Sequence, residues 1–351
     1  MLSKSIKVVS PRIFELYIED INPKENECLV KVEKAAICKA DIRYYEGERE
    51  ERILGLKYPM NLLHEMSGKI LKDKSGTFKS GEKVVLVPNI INKKKISKND
   101  ESVMNNEYFG ENYCENAKFA SSNMDGFARQ VVAWPLNYVI RCPQKVSSNI
   151  LVFSELISVC ISAFRRVYDI CSERIETVCV WGDGILGYIM CSLAKNIYNM
   201  KVIAVGKHEE KLKQFNCDEY IELKNIPNKF YKADVFIECV GGKGMKATIN
   251  DILNIVKPGG KLVLTGVCEN NIEINTRKIL EKGITITGST RSSYKDFNRV
   301  MKYFENESFS NSIEQLNLGN VDIENITDFY DVFEKTCNEK MLGKYILDFK
   351  F

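Results

Sequence analysis

Apolar and polar residues alternate in three short runs near the start of the chain: ECLVKVEKAAIC (Glu27 to Cys38), GEKVVLVPN (Gly81 to Asn89) and GFARQVVAW (Gly126 to Trp134). A period of two, punctuated by Gly and Pro, predicts antiparallel strands in a barrel-like β region. Between the second and third runs, Ile90 to Asp125 is polar and without period, which predicts a long surface lobe. From about Phe153 the texture becomes strand, glycine turn, helix, strand, the alternation of a parallel α/β sheet. Its clearest unit starts at Thr177-Val178-Cys179-Val180-Trp181, turns at GDGILG (Gly182 to Gly187), continues as a helix to about Asn199 and resumes at Val202-Ile203-Ala204-Val205. Later strands are predicted within Ala233 to Gly242 and Gly259 to Val267. The closing run GKYILDF (Gly343 to Phe349) reads as a strand able to rejoin the first region.

At 351 residues the chain exceeds one ordinary core. Two domains are expected: 1–150, completed by about 305–351, and 151–304. A net charge of +3, spread along the chain, leaves no footprint for nucleic acid or membrane. No signal-peptide pattern and no apolar run near the ~20 residues of a membrane span is present, so a cytoplasmic protein is expected. The 12 cysteines are scattered, mostly in apolar stretches, and read as small core residues rather than a disulfide framework.

Gly182, Gly184 and Gly187 form G-x-G-x-x-G between a strand and a helix. The tight turn, the close backbone approach and the free N–H groups of Ile185, Leu186 and Gly187 suit a dinucleotide pyrophosphate. NAD sites place a carboxylate at the end of the next strand, whereas this chain has Gly206, Lys207 and His208 there. That end suits the 2′-phosphate of NADP(H).

Of only two histidines, His64 precedes Glu65 at the end of an apolar run. Cys38 ends a predicted strand upstream, and Glu155 opens an apolar helix downstream. Thiolate, imidazole and carboxylates suit a zinc ion with one position open to substrate. Spacing alone does not establish this, because the residues are far apart in sequence.

In order, Cys38 with Asp41, His64-Glu65 with Gly68, FKSGEKV (Phe78 to Val84), DGFA (Asp125 to Ala128), ELISVCISAFRR (Glu155 to Arg166), the glycine turn and KPGGKLVLTG (Lys257 to Gly266) resemble the zinc-dependent medium-chain alcohol and polyol dehydrogenases. Glu155 with Ser158-Val159 and Arg165-Arg166 is most similar to the sorbitol dehydrogenase branch. ADIRYYEGERE (Ala40 to Glu50), KYPMNLLHE (Lys57 to Glu65), VVLVPN (Val84 to Asn89) and NYCENAKFASSNMDGFA (Asn112 to Ala128) resemble the ribulose-5-phosphate reductases of bacterial teichoic-acid and capsule pathways.

The resemblance implies an α/β chain with a GroES-like β-barrel catalytic domain, a Rossmann domain and a catalytic zinc in the cleft. Cys38 and His64 fall on family zinc ligands, and Glu65 and Glu155 on carboxylates that bind zinc directly or through its water. It implies NADPH-dependent reduction of D-ribulose 5-phosphate to D-ribitol 5-phosphate, with Arg43 and Arg291 as candidate substrate contacts. It also implies a homo-oligomer, dimer or tetramer, and a cytidylyltransferase as functional partner. An unphosphorylated polyol dehydrogenase shares the zinc and glycine features, and a non-catalytic nucleotide-binding scaffold remains a third reading. Two departures stand out. Residues 90–125 hold Cys114 alone, too few for a four-cysteine structural zinc. Ala40 and Arg43 stand where relatives often carry proton-relay residues, which leaves the relay open between a zinc-bound water and Glu155.

Overall fold

The computed structural model describes residues 1–92, 96–226 and 232–351, so residues 93–95 of the predicted lobe lie outside the described residues. The dinucleotide-type sheet has six parallel strands in the spatial order Glu219–Glu222, Lys201–Gly206, Thr177–Trp181, Val235–Glu238, Lys261–Leu264 and Thr285–Gly288. Numbered along the chain, that order is 3-2-1-4-5-6. Its reversal opens a crevice at the carboxyl ends of Thr177–Trp181 and Val235–Glu238, where such sheets bind ligands. Side chains of Thr177–Trp181 serve two cores by alternation. Val178 and Val180 face a core continuous with the β region, and Cys179 and Trp181 face a second core behind the sheet.

In the β region, Glu27–Ala36 is central and runs antiparallel to Glu65–Lys72, Val131–Pro135 and the C-terminal strand Lys344–Phe349. One pairing departs from the antiparallel expectation: Asn317–Ile323 runs parallel to Lys344–Phe349. The register positions the chemistry. Ala36 lies opposite both Glu65 and Ile346, so Cys38, His64 and Lys344 extend from three strand ends at one place. The helix Ser154–Ile170 lies against this junction, burying Ile157, Ile161, Phe164 and Val167. Each such side chain contributes about 1.5–3 kcal/mol by leaving water, which anchors Glu155 in the helix's first turn.

The predicted surface lobe is more structured than its polarity implies. It contains the helix Lys98–Asn105, and its strand Lys118–Phe119 pairs with Asn89–Ile90. Phe119, Ala120 and Ser121 are buried, so the lobe returns to the interior instead of staying at the surface. Among the described residues no helix is long and apolar enough to cross a membrane.

Candidate active site

One donor atom each from Cys38, His64 and Glu65 lies within 4.8 Å of the others, a spacing one small cation can bridge. His64 and Glu65 are buried. Cys38 immediately precedes the helix Lys39–Tyr45, and His64 immediately precedes the strand Glu65–Lys72. Asp41 fixes both approaches. Its Oδ2 accepts from Cys38 N at 2.9 Å, and its Oδ1 accepts from Leu63 N at 3.0 Å and from Ser121 Oγ in the lobe. Asp41 Oδ1 also lies 3.6 Å from His64 Nδ1. That distance is too long for a hydrogen bond, and it turns Nδ1 toward the carboxylate and leaves Nε2 for a ligand.

Leu63 holds φ +73°, an uncommon conformation for a branched side chain. Neighbouring bonds impose it: Phe127 N donates to Leu63 O at 2.8 Å. Gly126 permits this approach, because a Cβ there would stand 2.3 Å from Leu63 O. The glycine of the DGFA motif therefore serves the histidine.

Burial disfavours a charged imidazole, but the adjacent Asp41 and Cys38 outweigh it and raise the His64 pKa well above its ordinary value. Glu65 is fully buried, and both its oxygens accept from Lys344 Nζ, at 2.5 and 2.7 Å. Lys344 also donates to Ile37 O at 3.1 Å. Glu155 stands outside the three-residue cluster. Burial pushes its carboxyl up to about 7, with His64 opposing the rise and Glu65 adding to it.

The two predicted substrate arginines occupy different settings. Arg291, at φ +54°, places its guanidinium 4.9 Å from the centre of the Phe119 ring, whose other neighbour is His64 at 5.3 Å. Burial lowers its pKa. Ser292 is hydrogen-bonded to Ser158 at 2.7 Å, which ties the Arg291 segment to the helix carrying Glu155. Arg43 instead pairs with Glu269 at 2.7 Å, across to the loop after Lys261–Leu264.

At the cofactor end, the helix Ile185–Asn196 begins after Gly184 with no side-chain cap, leaving its first N–H groups to an anion. The strand end differs from expectation in one respect. Asp183, the residue between the first two glycines, places a carboxylate there: Oδ2 accepts from Lys207 N and His208 N at 2.7 Å each and lies 3.0 Å from His208 Nδ1. Gly206 is required beside it, since a Cβ at 206 would stand 2.6 Å from Asp183 Cβ. The strand itself lacks a carboxylate, but the glycine turn supplies one.

Asp183, Lys344, Ser121 and Phe119 were not singled out from sequence. For Lys344 a signal existed, a lysine directly before the apolar run Tyr345-Ile346-Leu347. For Asp183 the signal was its place inside the glycine turn.

The family described as "Zinc-binding dehydrogenase" matches residues 186–306, and the "Alcohol dehydrogenase GroES-like domain" matches residues 24–144. The chain belongs to the zinc-binding, medium-chain alcohol dehydrogenase family. It is 34% identical to ribulose-5-phosphate reductase 1 of Staphylococcus aureus over 350 residues, covering 99% of each chain. It is 33% identical to ribulose-5-phosphate reductase of Bacillus spizizenii, covering 100% of each. The crystal structure of S. aureus TarJ in complex with NADPH superposes with a TM-score of 0.85 at 31% identity, over 100% of both chains.

Proposed function

We propose that this protein reduces D-ribulose 5-phosphate to D-ribitol 5-phosphate with NADPH at a single zinc site. The observation that carries this reading is a donor set of half-buried Cys38 with buried His64 and Glu65, with the Arg291 guanidinium one aromatic ring away, a carbonyl site beside an anion site. The names of the full-length relatives support the same substrate and cofactor.

Thiolate, imidazole and carboxylate close enough for one small cation to bridge fit zinc, with Cys38 and His64 as ligands and Glu65 beside them. When bound, zinc supplies a Lewis acid for the ketone and NADPH supplies the hydride. The chain does the rest. Asp41 orients His64, and Lys344 offsets the Glu65 charge so that the donor set stays electrophilic. Glu155, its carboxyl pushed up to about 7, exchanges its proton readily near neutral pH, and its acid form delivers that proton to the new hydroxyl oxygen. This fills the relay position that Ala40 and Arg43 leave empty. Arg291 pairs with the phosphate and so orients C2.

At the other end, the N–H groups of Ile185, Leu186 and Gly187 take the pyrophosphate. Lys207 and His208 meet the 2′-phosphate. The same proposal places the protein in the cytoplasm as a homo-oligomer whose product passes to a cytidylyltransferase.

NADPH oxidation with equal concentrations of ribulose 5-phosphate and free ribulose tests the reading. Much faster turnover of the phosphorylated ketose is expected. A preference for free ribulose would replace the reading with a polyol dehydrogenase of the sorbitol type.

A further inference from the structure

We propose that the lobe positions Arg291 for the substrate phosphate: Asn112 fixes the backbone from which Arg291 extends, and Phe119 carries its guanidinium. The inference rests on the reading of Arg291 as the phosphate contact and extends it to Asn112 and Glu111, positioning residues that lie outside the donor set.

Arg291 needs outside support. At φ +54° its backbone is left-handed, which a residue with a long side chain keeps only where its surroundings impose it. The lobe supplies that restraint through the single helical turn Glu111–Tyr113. Asn112 Nδ2 donates at 2.8 Å to Thr290 O, the carbonyl of the peptide group that carries Arg291 N. The Tyr113 hydroxyl accepts from Thr290 N at 3.4 Å, and Glu111 Oε1 accepts from Tyr294 N at 2.6 Å. Three consecutive lobe residues thus hold both ends of 290–294. A Cβ on Gly110 would stand 2.8 Å from Ser293 Cβ, so a glycine there lets the two chain segments approach.

The side chain is held from the same lobe. The Arg291 guanidinium lies 4.9 Å from the centre of the Phe119 ring, and that ring lies 5.3 Å from His64. Lobe residues therefore set where Arg291 starts and where it ends, next to the donor set. With Cys114 as its one cysteine, the lobe is tied together by Asp100 instead of a four-cysteine metal site. The Asp100 carboxylate accepts from Ser97 N and Ser97 Oγ at 3.0 Å each and from Glu115 N at 2.9 Å. Those bonds join the helix Lys98–Asn105 to the chain just after Tyr113.

The helix Ser154–Ile170 supplies the remaining anchors. Ser158 meets Ser292 at 2.7 Å, and Arg165 pairs with Asp296 at 2.7 Å while donating to Phe109 O in the lobe. These bonds fix 292–296, whereas Asn112 fixes the peptide group next to Arg291 itself. Glu155, on the same helix, attracts the guanidinium without an ion-pair contact. Among the described residues the Phe119 face, rather than a carboxylate, therefore sets the place of the guanidinium. Its planar N–H edge stays free for a phosphate.

The test is a double-substitution cycle in the full-length enzyme: Asn112→Ala, Arg291→Ala and both together. The readout is the ratio of kcat/KM for ribulose 5-phosphate to that for free ribulose, with the inhibition constant of inorganic phosphate beside it. Asn112→Ala is expected to lower the ratio about three- to tenfold, as a charged hydrogen bond is displaced rather than deleted. Phosphate inhibition should weaken in parallel. In the Arg291→Ala background the same substitution should change the ratio by less than about twofold, because its effect passes through Arg291. Glu111→Ala should act in the same direction, and Glu111→Gln, which keeps an acceptor for Tyr294 N, should recover most of the loss. If Asn112→Ala does not fold, Glu111→Ala takes its place in the cycle. An unchanged ratio, equal losses on both ketoses, or a full effect of Asn112→Ala persisting without Arg291 would overturn the positioning role. If the wild type shows no preference for the phosphorylated ketose, the functional reading fails. The coupling between the two substitutions, in kcat/KM for the ketose that is turned over, then still decides whether Asn112 acts through Arg291.

Discussion

The two walls of the cleft hold charge in opposite ways. Around Cys38, His64 and Glu65 the charged partners are sealed: Asp41 and Glu65 are fully buried, and Lys344 is 8% exposed. Around Lys207 and His208 the charges meet solvent; the His208 side chain is 63% exposed. A buried ion without its partner costs several kcal/mol, whereas an exposed pair adds little to stability. The sealed wall should therefore respond to mutation through folding and metal binding. The open wall should respond through selectivity at nearly constant stability.

Lys344→Met applies the strongest stress to that contrast. It strands a fully buried Glu65 carboxylate, and a loss of about 3–5 kcal/mol of unfolding free energy is expected in denaturant titrations. The pH dependence has a definite sign. Burial alone would lower the Lys344 pKa, but Glu65 more than offsets it and the net shift is upward. A raised ammonium pKa contributes stability that is complete below about 10.4 and is lost only as pH rises through the folded value. The gap between wild type and variant should thus stay constant from neutral to mildly alkaline pH. A loss under 1 kcal/mol would remove the distinction between the walls.

The elements of both walls were legible in sequence to different depths. Period-two alternation located the strands that end near Cys38, and the strand, glycine turn and helix around Gly182 announced a dinucleotide crevice. These signals are local, set by side-chain direction and backbone conformation. The partners that tune the site are not local. Lys344 meets Glu65 across 279 positions and Glu269 meets Arg43 across 226, and pairings so distant leave no periodicity to read. The lobe misled for a related reason. Its polar composition suited a surface excursion, yet Phe119 and Ser121 fold back onto His64 and Asp41. Asp183 was visible as a letter but not as a direction, since only the turn geometry carries its carboxylate to the neighbouring strand end.

Asp183→Asn makes the smaller change, on the open wall. Removing a negative charge beside Lys207 and His208 should favour the 2′-phosphate, raising the NADPH-over-NADH ratio of kcat/KM several-fold, about 1 kcal/mol. The unfolding midpoint should barely move. The more obvious Gly206→Asp is a poorer probe, because its Cβ would collide with Asp183. An unchanged ratio with lost stability would make Asp183 a structural clamp and place this end of the cleft with the sealed wall.

The sealed wall's purpose is tested most directly by the zinc content of purified wild-type protein beside His64→Ala and Cys38→Ala, measured by elemental analysis. One tightly held zinc per wild-type chain, absent from both variants, is expected. Zinc retained by both variants, or a fully active wild type without zinc, would contradict a metal held at Cys38 and His64.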